Sequence, residues 1–298
     1  MHNLLHRAGM LAAVLLAAAA PLAVSQQPPA NQSPELTSLL AHLSDNVDEL
    51  NRTLPSLSCT EHVVSEMTPP PTGTGTLRIT TDSIFRIRRE DDPPDPNEPD
   101  GPNNITRFNP LQESRVVQRV NGRPTGSEKA PFDTPYVVFG IFSGGLARVS
   151  TAGNACFSYH LRRNDATRIV ISYESWPPES RSADCPYTER ISGEATIDPN
   201  GYRVLHLEDT THDKSGLWTW SIDYAPVALG GHSFWLPTVL RSTNTSEREV
   251  MNPLPGKRPI TNIITHSLTA HYADYHLRSV TSHIITDTSA NPTEPHEN

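Results

Sequence analysis

Residues that could carry out catalysis are scattered along this sequence, and their spacing fits no catalytic motif. Ser143 lies in the segment GIFSGG, one position away from the G-x-S-x-G pattern of a nucleophile elbow. Glu194 and Asp198 are four residues apart, but paired-carboxylate hydrolysis needs a cleft and a second element, and we expect both to face solvent. There is no glycine-rich phosphate loop. The sequence therefore predicts a non-enzymatic protein, with an unrecognised hydrolase as the minority alternative.

Possible metal ligands are equally dispersed. Asp95, Asn97 and Asp100 resemble the start of a calcium-binding EF-hand loop, but the third ligand falls one residue late and no closing glutamate follows. Four of the 13 histidines follow one another at spacings of five, five and seven residues, and on a strand each of these odd spacings alternates between faces. They are His266, His271, His276 and His283. No HExxH motif and no Cys/His zinc spacing occurs, so we predict no metal site and no cofactor.

The three cysteines predict one disulfide and one free thiol. Cys156 and Cys185 flank a predicted strand–turn–strand unit, and we pair them. Cys59 is then left as a buried thiol. It is not a predicted nucleophile, because His62 would lie on the opposite face of the same strand and no other base is adjacent.

The remaining cluster of side chains is aromatic and apolar. One predicted strand places two tryptophans, an isoleucine and a tyrosine on one face, and neighbouring segments add further rings. These residues either form a packed core beneath a helix or line an apolar pocket on a sheet too strongly curved to be filled. The candidate lining residues are Phe85, Ile87, Trp218, Trp220, Ile222, Tyr224 and Phe234.

An amphipathic helix precedes the strands. Ser33 is a suitable N-cap, Pro34 suits the first helical position, and Pro55 ends the helix. Apolar residues recur at three- and four-residue spacing and form one stripe, which must be buried against the sheet. The stripe consists of Leu36, Leu39, Leu40, Leu43, Val47, Leu50 and Leu54.

The rest of the chain predicts antiparallel strands, because apolar and polar residues alternate. Alternation is clearest in residues 76–88, 157–162, 169–173 and 218–224. The turns Asp198–Gly201 and Gly230–Gly231 predict tight hairpins. Residues 132–147 are apolar without alternation and predict a short plug over the sheet, whereas 91–104 predict an acidic loop.

The N-terminus predicts export. Arg7 precedes an uncharged apolar run, and Ala23 and Ser25 are small residues placed for cleavage before Gln26. Residues 1–25 are then a signal peptide, 26–33 a disordered leader, 34–286 the folded domain and 287–298 a flexible tail. No second apolar stretch is long enough to span a bilayer, so we predict a secreted or periplasmic chain without a transmembrane segment in its mature form.

The charge balance excludes one class of partner. The formal net charge is −9, and the lysine and arginine residues do not cluster into a basic stripe. Because neutralisation of phosphate charge dominates nucleic-acid affinity, we expect no nucleic-acid binding.

Two hairpin segments carry a family resemblance. They are SGEATIDPNGYRVLHLE and WSIDYAPVALGGHSFWLPTVL, whose shared patterns run from Gly193 to Pro199 and from Ile222 to Pro237. The chain resembles a group of secreted bacterial proteins whose fold in turn is similar to the LolA-type lipoprotein carriers. The resemblance implies an α+β, mostly antiparallel β fold: a curved, unclosed half-barrel with an N-terminal amphipathic helix and short plug helices.

The same resemblance implies a function. A LolA-type half-barrel implies a hydrophobic cavity for acyl chains, so the first hypothesis is an exported binding protein that holds an apolar or lipid-like ligand on the concave face. The alternative is a structural or protein-interaction module of the cell envelope whose core is fully packed and which binds an envelope protein partner.

Overall fold

The computed structural model describes residues 33–69, 75–89, 111–125, 140, 144–213, 216–250 and 260–278. The predicted signal peptide, the acidic loop at 91–104 and the tail at 287–298 lie outside the described residues, as do Ser143 and His283. All described residues fall in one compact unit that begins at Ser33.

Within the described ranges, one long helix and a single open antiparallel sheet make up most of the fold. Helix α1 spans Pro34–Thr53. The strands are β1 (Leu57–Thr68), β2 (Leu77–Arg89), β3 (Leu111–Val120), β4 (Arg123–Pro124), β5 (Phe157–Asn164), β6 (Ile169–Ser175), β7 (Arg190–Ile197), β8 (Val204–Asp213), β9 (Gly216–Leu229), β10 (His232–Val250) and β11 (Ile260–Leu277). Their order in the sheet is β4-β3-β2-β1-β11-β10-β9-β8-β7-β6-β5. Every neighbour pair except β1–β11 is consecutive in the chain.

Contacts at the two ends of α1 show how far the sheet bends. Near its C-terminus, the Arg89 guanidinium of β2 donates to the carbonyl oxygens of Asn51 at 2.9 Å and Leu54 at 3.2 Å. Near its N-terminus, Glu35 accepts a hydrogen bond from Asn164 of β5. A flat sheet would hold these two strands roughly 38 Å apart, whereas a 20-residue helix is roughly 30 Å long. The sheet is therefore curved, and α1 lies across its concave face.

The predicted helix is confirmed, together with its cap and its buried stripe. The Ser33 hydroxyl accepts a hydrogen bond from the backbone N–H of Leu36 at 3.2 Å, and Pro34 occupies the first helical position. Five of the apolar stripe residues on the helix are buried: Leu36, Leu39, Leu40, Leu43 and Val47. The four leucines belong to one buried apolar cluster with side chains from strands β1 to β3 and β5 to β11, so the sheet supplies the surface that covers them.

The predicted hairpins and alternating strands are also present. Asp198–Gly201 connects β7 to β8, and Gly230–Gly231 connects β9 to β10 with φ values of 57° and 83°. Both angles lie in the left-handed region that glycine tolerates. The described part of the predicted plug is helical: a 3-10 turn, Gly145–Val149, runs into a short helix, Thr151–Asn154. An ideal Cβ on Gly145 would lie 2.9 Å from Cδ1 of Ile222, so this backbone rests on β9.

The cysteines are arranged as the sequence predicts. Cys156 and Cys185 form a disulfide, and Cys59 is a free, buried thiol on β1. Burial, followed by the charge of Glu61, raises the pKa of the Cys59 thiol from 9.0 to about 12. His62 points away from this thiol and forms an ion pair with Asp82. The thiol is therefore unreactive at neutral pH, because only the thiolate is nucleophilic.

Candidate functional site

The structure places six of the seven candidate lining residues on the concave face of the sheet. Five of them are buried in the main apolar cluster beneath α1 and the 3-10 turn: Phe85, Ile87, Trp220, Ile222 and Tyr224. Trp218 is half-buried against the same cluster. Its indole Nε1 donates a hydrogen bond to Oγ of Ser242 at 2.7 Å. Ligand contact by these six residues stays a prediction.

Tyr224 differs from its neighbours because its buried hydroxyl has no hydrogen-bond partner among the described residues. The side chain is 6% exposed, and burial raises its pKa far above the ordinary value. A Cβ on Gly145 would lie 3.1 Å from this hydroxyl, so the 3-10 turn covers it closely. The tyrosine is therefore neutral and is packed as an apolar ring.

A buried ion pair crosses the concave face beside this cluster. Arg148 Nε donates to Oδ2 of Asp209 at 2.6 Å, and the two side chains are 10% and 0% exposed. The Thr211 hydroxyl donates to the other carboxylate oxygen at 3.1 Å. The guanidinium carbon lies 4.2 Å from the ring centre of Tyr187. The pair ties the 3-10 turn, which carries Arg148, to strand β8.

Gly193 lets a tyrosine reach the same region. An ideal Cβ at this position would lie 2.2 Å from the carbonyl oxygen of Glu208 and 2.3 Å from the hydroxyl of Tyr173. The Tyr173 side chain crosses β7 at this point and donates to the Glu208 carbonyl at 2.8 Å. The shared pattern from Gly193 to Pro199 therefore begins with glycine because two other groups occupy the place of a side chain at this position.

A second buried charge pair lies on the other half of the sheet. Arg115 Nε of β3 donates to both carboxylate oxygens of Glu61 on β1, at 3.0 and 2.7 Å. The side chains are 10% and 1% exposed, and the Arg115 guanidinium carbon lies 4.6 Å from the ring centre of Phe85. Glu113 of β3 accepts a hydrogen bond from the backbone N–H of Gly140 at 2.8 Å. The concave face thus combines an apolar floor with two buried ion pairs.

An open cleft of about 540 Å³ lies beside α1, and we call it the helix–hairpin cleft. Its walls are the C-terminal half of α1, the β9–β10 hairpin and the segment that precedes β8. The apolar part of the lining comes from Leu50, Phe234 and Trp235, all of which are half-buried. The polar part comes from Asn46, Glu49, Thr53, Arg203, His232 and Ser233. Phe234 is therefore the predicted lining residue that borders this cleft.

The described residues offer no arrangement for metal binding. Within the described ranges, no group of three or more His, Cys, Asp or Glu side chains could hold a metal ion. The predicted EF-hand-like residues Asp95, Asn97 and Asp100 lie outside those ranges. Among the helices of the described ranges, none has the length and apolar character needed to cross a bilayer.

An open antiparallel half-barrel with a helix across its concave face is the class that this architecture defines. The chain is similar to two solved structures. A LolA superfamily protein from Nitrosomonas europaea is 11% identical, with 81% of this chain and 94% of that chain covered and a TM-score of 0.33. A DUF1329 family protein from Desulfovibrio piger is 8% identical, with 84% and 96% covered and a TM-score of 0.36. No protein-family model and no curated protein matches the chain.

Sequence reasoning missed the cleft and both ion pairs. The cleft brings together three segments that are far apart in the chain, so no local pattern marks it. The ion pairs left a clearer signal. On β1, Glu61 lies on the same buried face as Leu57 and Cys59. On β8, Asp209 lies on the same buried face as Leu207. A carboxylate on the apolar side of a strand indicates a buried partner.

Proposed function

We propose that this protein is an exported, non-enzymatic binding protein for an apolar or lipid-like ligand, held between α1 and the concave side of the sheet. The observation that supports it best is the helix–hairpin cleft. Its volume of about 540 Å³ is within the range of small-molecule pockets. Leu50, Phe234 and Trp235 give it an apolar wall that water solvates poorly.

The position of the aromatic residues refines where the ligand would lie. Phe85, Trp220 and Ile222 are buried under α1. A ligand that approaches from solvent would therefore contact the cleft before it could contact these three residues. Phe234 and Trp235 lie on the hairpin wall of that cleft and remain half-buried. The ligand chain would therefore contact these two rings, and it would reach the deeper residues only if α1 moved aside.

Tryptophan fluorescence during titration with decanoate, decanol and a lysophospholipid tests the proposal. We expect a saturable change with at least one of the three, because Trp235 lines the cleft. Trp235→Phe should abolish most of that change. Trp176→Phe is the matched control and should keep it, since Trp176 follows β6 and does not line the cleft. The Trp220→Ala variant is less informative, because loss of a buried aromatic side chain costs about 3–5 kcal/mol of stability.

A fully packed interaction module is the second candidate. It is favoured by the burial of Phe85, Ile87 and Trp220 in one continuous cluster. It predicts no saturable response to any of the three amphiphiles, and that result would remove the binding proposal. A turnover of substrate that a single side-chain change abolishes would instead favour the hydrolase alternative.

A further inference from the structure

Arg203 contributes a cation to the wall of the helix–hairpin cleft. The residue is half-buried and immediately precedes β8. Among the described residues its guanidinium forms no ion pair, whereas seven other arginines do. Those are Arg52, Arg78, Arg115, Arg148, Arg163, Arg190 and Arg241.

The backbone that carries Arg203 is fixed in place by α1. Asn46 Nδ2 donates to the carbonyl oxygens of Gly201 at 3.0 Å and Tyr202 at 2.8 Å. The Tyr202 ring stacks on His42 with ring centres 4.6 Å apart and an interplanar angle of 9°. The Arg203 carbonyl oxygen accepts a hydrogen bond from the backbone N–H of Asp198 at 2.9 Å. The turn is therefore held against the helix, and the backbone of Arg203 has a fixed position relative to α1.

Two carboxylates, one in the cleft lining and one in this turn, have partners other than Arg203. Glu49, which lines the cleft, forms an ion pair with Arg52 one turn further along α1. Asp198 accepts hydrogen bonds from the backbone N–H and the side-chain amide of Asn200, at 3.2 and 3.3 Å. Neither carboxylate forms an ion pair with Arg203. Arg203 is thus a formally positive side chain in the lining of this cleft that forms no ion pair among the described residues.

We propose that the helix–hairpin cleft selects amphiphiles whose head group is an anionic oxygen acid, and that Arg203 binds that head group. The planar guanidinium donates paired hydrogen bonds that match a carboxylate or a phosphate. The apolar chain then lies against Leu50, Phe234 and Trp235. This inference rests on the proposed function and names the ligand class of the same cleft.

Binding of three ten-carbon ligands to the mature chain tests the inference by calorimetry: decanoate, decyl phosphate and decanol. The chain is common to all three, so the difference in affinity reports the head group. We expect the two anions to bind more tightly than the alcohol. Arg203→Gln should weaken anion binding about tenfold or more, because a hydrogen bond to a charged group contributes that much. The same variant should weaken decanol binding much less, so that the preference for the two anions over the alcohol is lost.

Two variants control for charge and for folding. Arg168→Gln removes an exposed arginine that is in no ion pair of the described residues and does not line the cleft, and it should change no affinity. Arg203→Lys keeps the positive charge and should retain part of the anion preference. The circular-dichroism spectrum of Arg203→Gln should match that of the wild type.

The outcomes separate the inference from the proposed function. Equal binding of all three ligands that Arg203→Gln leaves unchanged would overturn the inference while the proposed function stood. Failure of every ligand to bind would overturn the proposed function and the inference with it. An Arg203→Gln effect confined to decanoate, or to decyl phosphate, would support the inference and identify a carboxylate or a phosphate as the head group.

Discussion

At the scale of single residues, the Arg148–Asp209 pair shows how strongly this concave face depends on complete pairing. Asp209 is fully buried and accepts hydrogen bonds from Arg148 and Thr211. The Tyr173 hydroxyl donates a hydrogen bond to the backbone carbonyl oxygen of Glu208, the residue before Asp209. Burial raises the pKa of Tyr173, so its hydroxyl stays protonated. A cation in such a site is tolerated only because its partner is present.

Asp209→Asn should therefore be strongly destabilising. It leaves the Arg148 guanidinium buried without a counter-charge, and we expect the free energy of unfolding to fall by about 3–5 kcal/mol. Urea unfolding followed by circular dichroism measures the loss. Glu174→Gln is the matched control, because it breaks the Arg190–Glu174 pair, whose side chains are 75% and 51% exposed. That change should cost less than about 1 kcal/mol, and equal losses for the two variants would contradict the explanation.

The sequence predicted the apolar members of this face better than its charged ones. The two-residue alternation that places Phe85 and Ile87 inward holds along the whole of β2. Burial of Glu61 and Asp209 was not predicted, because each charge has its partner on another element. Alternation reports which face a side chain takes, whereas pairing across the sheet decides what lies opposite it.

At the scale of elements, three adjacent strands are joined on the outer face by Asp223. This carboxylate of β9 pairs with Nδ1 of His206 on β8 at 2.6 Å and with Nη1 of Arg241 on β10 at 2.7 Å. Burial would raise the pKa of Asp223, but the hydrogen bonds from Arg241 and His206 outweigh burial and hold the pKa below 3.8. The arrangement links the strands that carry the cleft hairpin.

This pKa predicts a loss of stability in acid. A carboxyl with a lower pKa in the folded chain adds stability above its unfolded pKa, and that stability is lost as the pH falls through the folded value. The advantage of the wild type over Asp223→Asn should thus be present at pH 6 and shrink below about pH 4. It should not exceed about 1 kcal/mol, because the three side chains are 35–52% exposed.

Urea unfolding at pH 6 and at pH 3 measures the difference between the two proteins. Glu179→Gln removes an exposed carboxylate that has no partner among the described residues, and it should show no such pH dependence. A difference between the wild type and Asp223→Asn that stays constant from pH 6 to pH 3 would contradict the assignment.

Elements defined by local signals were predicted closely. The cap at Ser33 and Pro34 fixed the start of α1, and the glycines at 230–231 fixed a hairpin. The helix–hairpin cleft was not predictable in the same way. The cleft depends on a hydrogen bond from the Asn46 side chain of α1 to the carbonyl oxygen of Gly201, and these two residues are more than 150 positions apart in the chain.

At the scale of the whole molecule, the antiparallel half-barrel and its helix were predicted, but the pairing of β1 with β11 was not. Hairpin turns specify each consecutive neighbour, and no turn connects these two strands. The domain bounds 34–286 and the signal peptide stay predictions, as does the location of the mature chain in the periplasm or the medium.

Export is tested by the N-terminus of the protein recovered from a bacterial host. We expect the periplasmic or secreted fraction to begin at Gln26, as measured by intact-mass spectrometry. Ala23→Phe should leave residues 1–25 attached, because the peptidase site requires small side chains. Recovery of the wild type only inside the cell with its full leader would contradict the prediction.

The ladder between the first and last strands also fixes when the protein can finish folding. Leu57 lies opposite Leu277, so β1 has one unpaired edge until β11 has been synthesised. Contacts between such distant residues slow folding, and an open edge invites strands from other chains. A truncation within β11 would expose two such edges at once, on β1 and on β10. Strand β11 therefore closes the two edges at which the unfinished sheet could pair with strands of other chains.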